Sequence, residues 1–234
     1  MSEKKDISKR ETETSVDAFL DQVNQLPQTH SEGTGRLIFA MDATASRAPT
    51  WDIACDLQGQ MFSNTKGLGG LQIQLVYFRG FRECRASKWV SDASQLHRLM
   101  SSVSCLAGRT QIARVLKHAL SEVRGGSEVN ALVYVGDCME EPLDELGDLA
   151  GRLKLSGVPV FVFQEGNDPV AYQAFSQVAA LSGGAHSSLD RSSAHQLGLL
   201  LNAVAVYAAG GREAFNEHCR LTGGMVKRLG KQLE

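Results

Sequence analysis

Short apolar runs alternate with helical patterns along most of this chain. The runs are brief, continuous and bounded by polar or turn residues, which is typical of strands buried in a sheet. They cover residues 37–41, 71–78, 131–135 and 158–163, with a weaker run at 186–189. Between the runs, apolar residues recur every three or four positions, the spacing of one helix face. Helices are therefore predicted at 15–26, 91–104, 111–124, 143–155, 168–181 and from residue 192 or 193 onward.

An edge hairpin is predicted after the second run. Arg79 and Gly80 form a turn, and the more polar residues 81–90 suit an outermost strand that returns antiparallel to residues 71–78. Strands that otherwise alternate with helices predict an α/β fold, with a parallel or mixed sheet and helices on both faces. In such folds, functional residues are expected in the loops after the carboxyl ends of the strands, at the point where the strand order reverses.

Oxygen-bearing side chains follow the predicted strands in three of these loops. Asp42, Thr44 and Ser46 come after the first strand, Thr110 opens a helix, and Asp137 follows the strand before the fourth predicted helix. Alternate residues of an extended segment point the same way, so the first loop can present three oxygens to one point. Two carboxylates and three hydroxyls, with no thiol or imidazole among them, favour a hard cation such as Mg²⁺, Mn²⁺ or Ca²⁺.

These three elements resemble the metal-ion-dependent adhesion site (MIDAS) of the von Willebrand factor type A (VWA) domain family. Its first motif, Asp-x-Ser-x-Ser, is matched by Asp42 and Ser46 with Thr44 at the first serine. Its threonine in a Gly-rich loop is matched by Thr110, and its aspartate at the end of the fourth strand by Asp137.

The resemblance covers residues 36–207 and implies the architecture of the whole chain. It implies a Rossmann-like, doubly wound α/β fold with a mainly parallel six-stranded sheet, one antiparallel edge strand and helices on both faces. Residues 1–35 then form an N-terminal extension with one helix, and residues 208–234 a C-terminal helical extension or tail.

The resemblance also implies a function. The five oxygen residues are expected to hold Mg²⁺, with Mn²⁺ or Ca²⁺ as alternatives, and one coordination position accepts an Asp or Glu carboxylate from a protein partner. Family members without signal peptides often work in intracellular assemblies, some with AAA+ ATPases, so a cytoplasmic protein-binding module is expected. An enzyme is not expected, because no general base or nucleophile accompanies the metal.

Two residues depart from the family's pattern, and both leave the metal preference open. Arg109 replaces a glycine of the common Gly-Gly-Thr and places a cation beside the site. Cys138 replaces the usual glycine after Asp137 and is interpreted as a small residue buried behind the site, with a redox role as the less favoured alternative. Glu140, Glu141 and the neighbouring Asp144 are predicted in the first turn of the next helix, or at the rim of the site.

Three other interpretations stay open. Asp42 and Asp137 could simply cap the helices that follow them. The aspartate after strand one could be the nucleophile of a metal-dependent phosphatase of the haloacid-dehalogenase type, although the Asp-x-Asp-x-Thr motif of those enzymes has Thr44 in place of its second aspartate here. The chain could also be a VWA scaffold that has lost its metal.

Composition and charge narrow the class of partner. The 234 residues include 24 Lys and Arg against 26 Asp and Glu, a near balance that argues against a nucleic-acid or membrane partner. The five cysteines are scattered without a Cys-x-x-Cys pair, which predicts neither a disulfide framework nor a zinc site. The charged N-terminus is unlike a secretory signal, and the most apolar stretch, residues 197–209, is too short to span a membrane.

Overall fold

A computed structural model describes residues 18–23, 34–189 and 194–230, with residues 222–230 described by their backbone alone. The sheet consists of β1 (Gly35–Asp42), β2 (Leu71–Arg79), β3 (Glu83–Ala86), β4 (Ala131–Gly136), β5 (Val160–Glu165) and β6 (His186–Leu189). These six strands lie in the order β3-β2-β1-β4-β5-β6. Every neighbouring pair is parallel except β2 and β3, so β3 is the antiparallel edge strand that the sequence predicts.

Helices cover both faces of the sheet. They are α1 (18–23), α2 (Ala48–Thr65), α3 (Ala93–Ser101), α4 (Ile112–Arg124), α5 (Leu143–Leu155), α6 (Pro169–Ser182) and α7 (Ala194–Gly230), which is broken at Gly211. Alternate residues of β1 belong to the two cores. Phe39 lies in the core that includes residues of α1, α2, α3 and α7, and Ala40 lies in the core that includes residues of α4, α5 and α6. The Rossmann-like, doubly wound fold class is therefore confirmed. Over the residues that the structure describes, no helix combines the length and apolarity needed to cross a membrane.

The strand order reverses beside β1. This strand pairs with β2 on one side, where Asp42 lies opposite Phe78, and with β4 on the other, where Met41 lies opposite Val135. Asp42 ends β1, and Asp137 directly follows β4. The two aspartates thus lie at the carboxyl ends of adjacent parallel strands, at the crevice where α/β folds bind ligands.

The largest departure from the predicted elements is α2, a helix of 18 residues for which the sequence pattern predicts nothing. Its buried face contains polar Gln58 and Thr65, so its apolar stripe is interrupted. The remaining buried apolar residues do have helical spacing: Trp51, Ala54, Cys55, Met61 and Phe62. Pro49 occupies one of the first two helical positions, where its missing N–H costs nothing.

Two smaller differences concern the edge and the ends of elements. The predicted strand at 81–90 shortens to β3, and Val90 makes a single bridge to Ile73. The predicted helix at 15–26 is helical at 18–23, and its other residues lie outside the described part of the chain, as do residues 192 and 193.

Candidate metal site at the carboxyl edge of the sheet

Asp42 is the most buried of the candidate ligands. Its side chain is 0% exposed, and its Oδ1 accepts the backbone N–H of Thr44 at 2.7 Å. Its Oδ2 is also buried and accepts no hydrogen bond from any residue that the structure describes. A buried carboxylate oxygen without a donor is costly, and a bound cation would remove that cost. The Asp42 side chain therefore fits a metal ligand.

The protonation of Asp42 reflects this environment. Burial raises the pKa of its carboxyl from 3.8 to about 6, and the nearby Asp137 carboxylate acts in the same direction. Hydrogen bonds from Thr44 and the positive charge of Arg47 oppose the rise in pKa without cancelling it. A cation at this point would favour the ionised carboxylate in the same way that Arg47 does.

Thr44 and Ser46 present two hydroxyls on the loop after β1. A short 3-10 helix, Ala45–Arg47, turns the chain there, and the Thr44 Oγ1 lies 3.4 Å from the Ser46 Oγ. Thr44 is buried and Ser46 is exposed. The loop therefore runs from a buried carboxylate to a hydroxyl that faces solvent.

The loop that precedes α4 is held against the turn between β2 and β3. The Arg109 N–H donates to the Gly80 carbonyl at 3.1 Å, and a Cβ on Gly108 would come within 2.0 Å of that carbonyl oxygen. Only glycine fits at position 108. The Leu106 N–H also donates to the Ala43 carbonyl at 3.0 Å, which ties this loop to the one that contains Asp42.

Thr110 is joined to the loop after β4 by two hydrogen bonds. Its N–H donates to the Glu140 carboxylate, and the Glu140 N–H donates to the Thr110 hydroxyl oxygen, each at 3.1 Å. A hydroxyl oxygen has two lone pairs, so this contact leaves one for a cation. Through Glu140, Thr110 is linked to the loop that begins with Asp137.

The adjacent Glu141 caps α4 rather than starting α5. Its carboxylate accepts the N–H of Ile112 at 2.5 Å and that of Ala113 at 2.9 Å. The N-cap residue of α5 is Pro142. Asp144 lies in the first turn of α5 as predicted. The same prediction is wrong for Glu140 and Glu141, whose carboxylates reach across to Thr110 and to the start of α4.

Cys138 belongs to the site itself. One carboxylate oxygen each from Asp42 and Asp137 and the Cys138 Sγ all lie within 4.8 Å of one another. The thiol is half-buried, so the interpretation of Cys138 as a residue buried behind the site is wrong. The signal in the sequence was its position, one residue beyond a candidate ligand on a strand-end loop.

The interpretation of the aspartates as helix caps finds no support in the caps themselves. Asp42 bonds to the N–H of Thr44, ahead of the 3-10 helix, and the N-cap residue of α2 is Arg47, which makes no side-chain cap bond. The N-cap of α5 is Pro142, five residues after Asp137.

Comparison with solved structures identifies the fold. Three of them are BatB from Bacteroides thetaiotaomicron, a von Willebrand factor type A protein from Catenulispora acidiphila, and proximal thread matrix protein 1 from the mussel byssus with a zinc-occupied MIDAS motif. Their TM-scores are 0.57, 0.60 and 0.60, at 15%, 12% and 15% identity. The chain has the von Willebrand factor type A fold. No protein-family profile and no curated protein matches it in sequence.

The matched region has the extent of a VWA domain. The likeness covers 73% of this chain and 97% of BatB, but 43% of the Catenulispora protein and 46% of the mussel protein. The chain thus spans less than half the length of two of these structures.

A buried ion pair lies next to the candidate site of this VWA fold. The Arg47 guanidinium is fully buried and donates to the carboxylate of Glu165, the last residue of β5. The Thr50 hydroxyl donates to the other carboxylate oxygen of Glu165. Arg47 directly follows Ser46, so this pair fixes the end of the Asp42–Ser46 loop against β5. Sequence reasoning missed it, because residues far apart in the chain form the pair.

Proposed function

We propose that this VWA-fold protein is a divalent-metal-dependent protein-binding module. The proposed ligands are Asp42, Thr44, Ser46, Thr110 and Asp137, and the proposed ion is Mg²⁺, with Mn²⁺ or Ca²⁺ as alternatives. One observation carries the proposal: a fully buried Asp42 carboxylate, with an oxygen that accepts no hydrogen bond from the described residues, lies beside a second carboxylate at the strand-order reversal.

Charge accounting suggests what the ion would do. Two carboxylates neutralise a dication, and neutral hydroxyls and water complete its shell. Bound there, the ion would supply a positive centre for a carboxylate from outside. Ser46 and Arg109 are exposed, whereas Asp42 is buried, so the approach is expected from the Ser46 side. The partner residue is therefore proposed to be an Asp or Glu side chain, with Arg109 adding a second positive charge.

The surroundings of the site support a protein partner over a small molecule. Phe81, at the turn after β2, is 74% exposed, and Leu106 is 54% exposed. A Cβ on Gly80 would lie 3.6 Å from the Leu106 side chain, and the Leu106 N–H bonds to Ala43. Exposed apolar side chains beside a functional loop are typical of protein interaction surfaces. A partner segment with an acidic residue next to an apolar one would contact both the ion and these exposed side chains.

The comparison with solved structures supports binding of a divalent metal. The mussel-byssus protein shares the fold and was solved with zinc in its MIDAS motif. We further propose, from the family resemblance, that the chain is not an enzyme. The expected AAA+-containing assembly and the cytoplasmic location stay predictions from the family resemblance.

The proposal is tested by selecting acidic peptides. A displayed library of peptides with one fixed glutamate between randomised positions is selected on the protein in Mg²⁺, and the recovered sequences are remade with glutamine at the fixed position. We expect binding that is lost in chelator, in the glutamine peptides and in Asp42→Ala, together with no turnover of a generic phosphoester. Turnover abolished by Asp42→Ala would instead favour the phosphatase alternative, and metal-independent binding would contradict the proposal.

A further inference from the structure

A sulfur atom shares the space between the two aspartates of the candidate metal site. The Cys138 Sγ and one oxygen each from Asp42 and Asp137 lie within 4.8 Å of one another. Zinc bonds oxygen at about 2.0–2.2 Å and sulfur at about 2.3 Å, so three ligand atoms of one zinc ion lie about 3.4–3.8 Å from one another. The three atoms each lie within 4.8 Å of the other two, so each would move by at most about 0.7 Å to reach bonding distance of one shared ion.

The environment of the Asp42 side chain is a second observation that favours a cation between Asp42, Asp137 and Cys138. It is 0% exposed, and its Oδ2 accepts no hydrogen bond from the residues that the structure describes. A thiol alone would not indicate a site. Here it lies next to a buried carboxylate oxygen that accepts no hydrogen bond from the described residues and whose charge Arg47 compensates only in part.

Other roles for the Cys138 thiol fit the structure less well. All five cysteines lie in the described part of the chain and are free, so the thiol is not held in a disulfide. Burial first, and then the charges of Asp137 and Asp42, raise the pKa of the thiol to about 12. Reactive cysteines have the opposite surroundings, with positive charge that favours the thiolate. A redox or nucleophilic role therefore lacks the electrostatic support that it needs.

The geometry points to Cys138 as a direct sulfur ligand of the same dication, which makes the site prefer Zn²⁺ to Mg²⁺. This inference rests on the proposed metal site and adds a ligand that the oxygen motif lacks. On binding, a zinc–sulfur bond forms, the S–H bond breaks and the proton passes to the solvent, with no change in oxidation state. Mg²⁺ is a hard ion and is expected to use the oxygen ligands while the thiol stays protonated.

Cobalt reports sulfur ligation directly. Co²⁺ replaces Zn²⁺ with similar ligand preferences, and a cobalt–thiolate bond gives an intense charge-transfer band in the near ultraviolet. We expect this band in the wild-type protein at one ion per chain. It should be absent in Cys138→Ser and Cys138→Ala, absent in Asp42→Ala, and retained in Cys84→Ser, whose thiol lies on the β3 edge strand. A band that survives Cys138→Ser, or that disappears in Cys84→Ser, would overturn the inference.

Affinities and proton release complete the test. Even supporting residues around a metal are worth about 10–100-fold in affinity, so loss of the sulfur ligand should weaken Zn²⁺ binding at least about tenfold. Mg²⁺ binding should change much less. Zn²⁺ binding at pH 7.5 should release about one proton more from the wild-type protein than from Cys138→Ser. Melting curves of both Cys138 variants in chelator establish that they are folded.

The outcomes separate this inference from the proposed function. If Mg²⁺ and Zn²⁺ both bind in an Asp42-dependent way and neither is affected by Cys138→Ser, the metal site stands and the sulfur ligand is contradicted. If no ion binds in an Asp42-dependent way, both are contradicted. A Zn²⁺ preference over Mg²⁺ that Cys138→Ser abolishes would support both.

Discussion

Thr110 and Glu140 hold each other by two hydrogen bonds across two loops. The Thr110 N–H donates to the Glu140 carboxylate, and the Glu140 N–H donates to the Thr110 hydroxyl oxygen. The pair joins the loop before α4 to the loop that begins with Asp137. The hydroxyl proposed as a ligand is thus oriented by a residue that is not itself a ligand, as the supporting residues around metal sites commonly are.

The first prediction concerns Glu140. Glu140→Ala removes the acceptor for the Thr110 N–H but keeps the backbone N–H that bonds the Thr110 hydroxyl. Mg²⁺ binding should weaken by about tenfold, because the loop before α4 loses one of the two bonds that position Thr110. Calorimetric titration measures the change. Glu145→Ala, which removes an exposed ion pair with Lys117 on the neighbouring helix, serves as the control and should leave the affinity unchanged. Equal affinities in both variants and the wild type would show that Glu140 does not position the site.

A second prediction concerns the pH dependence of the metal-free protein. The pKa of Asp42 is about 6 in the folded chain and near 3.8 when unfolded, so the folded state binds the extra proton between these values. The protonated Asp42 carboxyl therefore adds to the stability of the folded state at low pH. This contribution is fully present below pH 3.8 and is lost as the pH rises through 6. A pKa difference of about 2 units corresponds to about 3 kcal/mol.

Asp42→Asn should therefore stabilise the metal-free protein above pH 6. We expect its free energy of unfolding at pH 7.5 to exceed that of the wild type by about 1–3 kcal/mol, with little difference at pH 4. Urea unfolding in chelator measures both values. Asp56→Asn, at an exposed position on α2, should show no such pH-dependent gain. An Asp42→Asn variant that is equally destabilised at both pH values would contradict the raised pKa of the buried Asp42 carboxyl.

A third prediction concerns the buried pair of Arg47 and Glu165. Glu165→Ala leaves the fully buried Arg47 guanidinium without its charge partner and should lower the free energy of unfolding by about 3–5 kcal/mol. Replacing both residues, by Arg47→Met with Glu165→Leu, should cost less than the single change. Asp148→Ala, which removes an exposed ion pair with Arg152, should cost less than about 1 kcal/mol. A similar small loss for Glu165→Ala would argue against the buried pair.

A fourth prediction uses the close approach of two loops. Gly108→Ala places a Cβ about where the Gly80 carbonyl oxygen lies, so the loop that precedes α4 must move. Mg²⁺ affinity should fall, and hydrogen exchange at residues 106–112 should rise. Gly151→Ala is a matched control in α5, where a Cβ meets nothing within 4 Å, and should stabilise the protein by about 0.5–1 kcal/mol. Unchanged exchange in Gly108→Ala would show that the loop tolerates a side chain there.

Much of the fold could be predicted from the sequence because its strands are buried on both faces. The run at 131–135 becomes β4, and Asp168 caps α6 through the N–H of Ala171, as the Asp-Pro pair suggests. Helix α2 could not be predicted in the same way. Its buried Gln58 and Thr65 interrupt the apolar stripe, and periodicity recognises a helix by that stripe alone.

The proposed ligands of the candidate site could be predicted from the sequence, whereas the residues that position their loops could not. Asp42 and Asp137 lie at the ends of apolar runs, and the sequence pattern identifies such runs as strands. The Arg47–Glu165 pair and the reach of Glu141 to the start of α4 join residues 118 and 28–29 positions apart. Such contacts depend on the order of strands in the sheet, which local patterns do not contain. Cys138 was interpreted as a residue buried behind the site because free cysteines are usually buried. The structure instead places its sulfur close to the carboxylates of Asp42 and Asp137.

Calorimetric titration of the metal-free protein shows whether a dication binds through Asp42. Mg²⁺, Mn²⁺ and Zn²⁺ are titrated separately into the wild type and into Asp42→Ala, with circular dichroism establishing that both are folded. We expect saturable binding of one ion per chain in the wild type and its loss in Asp42→Ala. Equal heats in the two proteins, whether negligible or large, would contradict it.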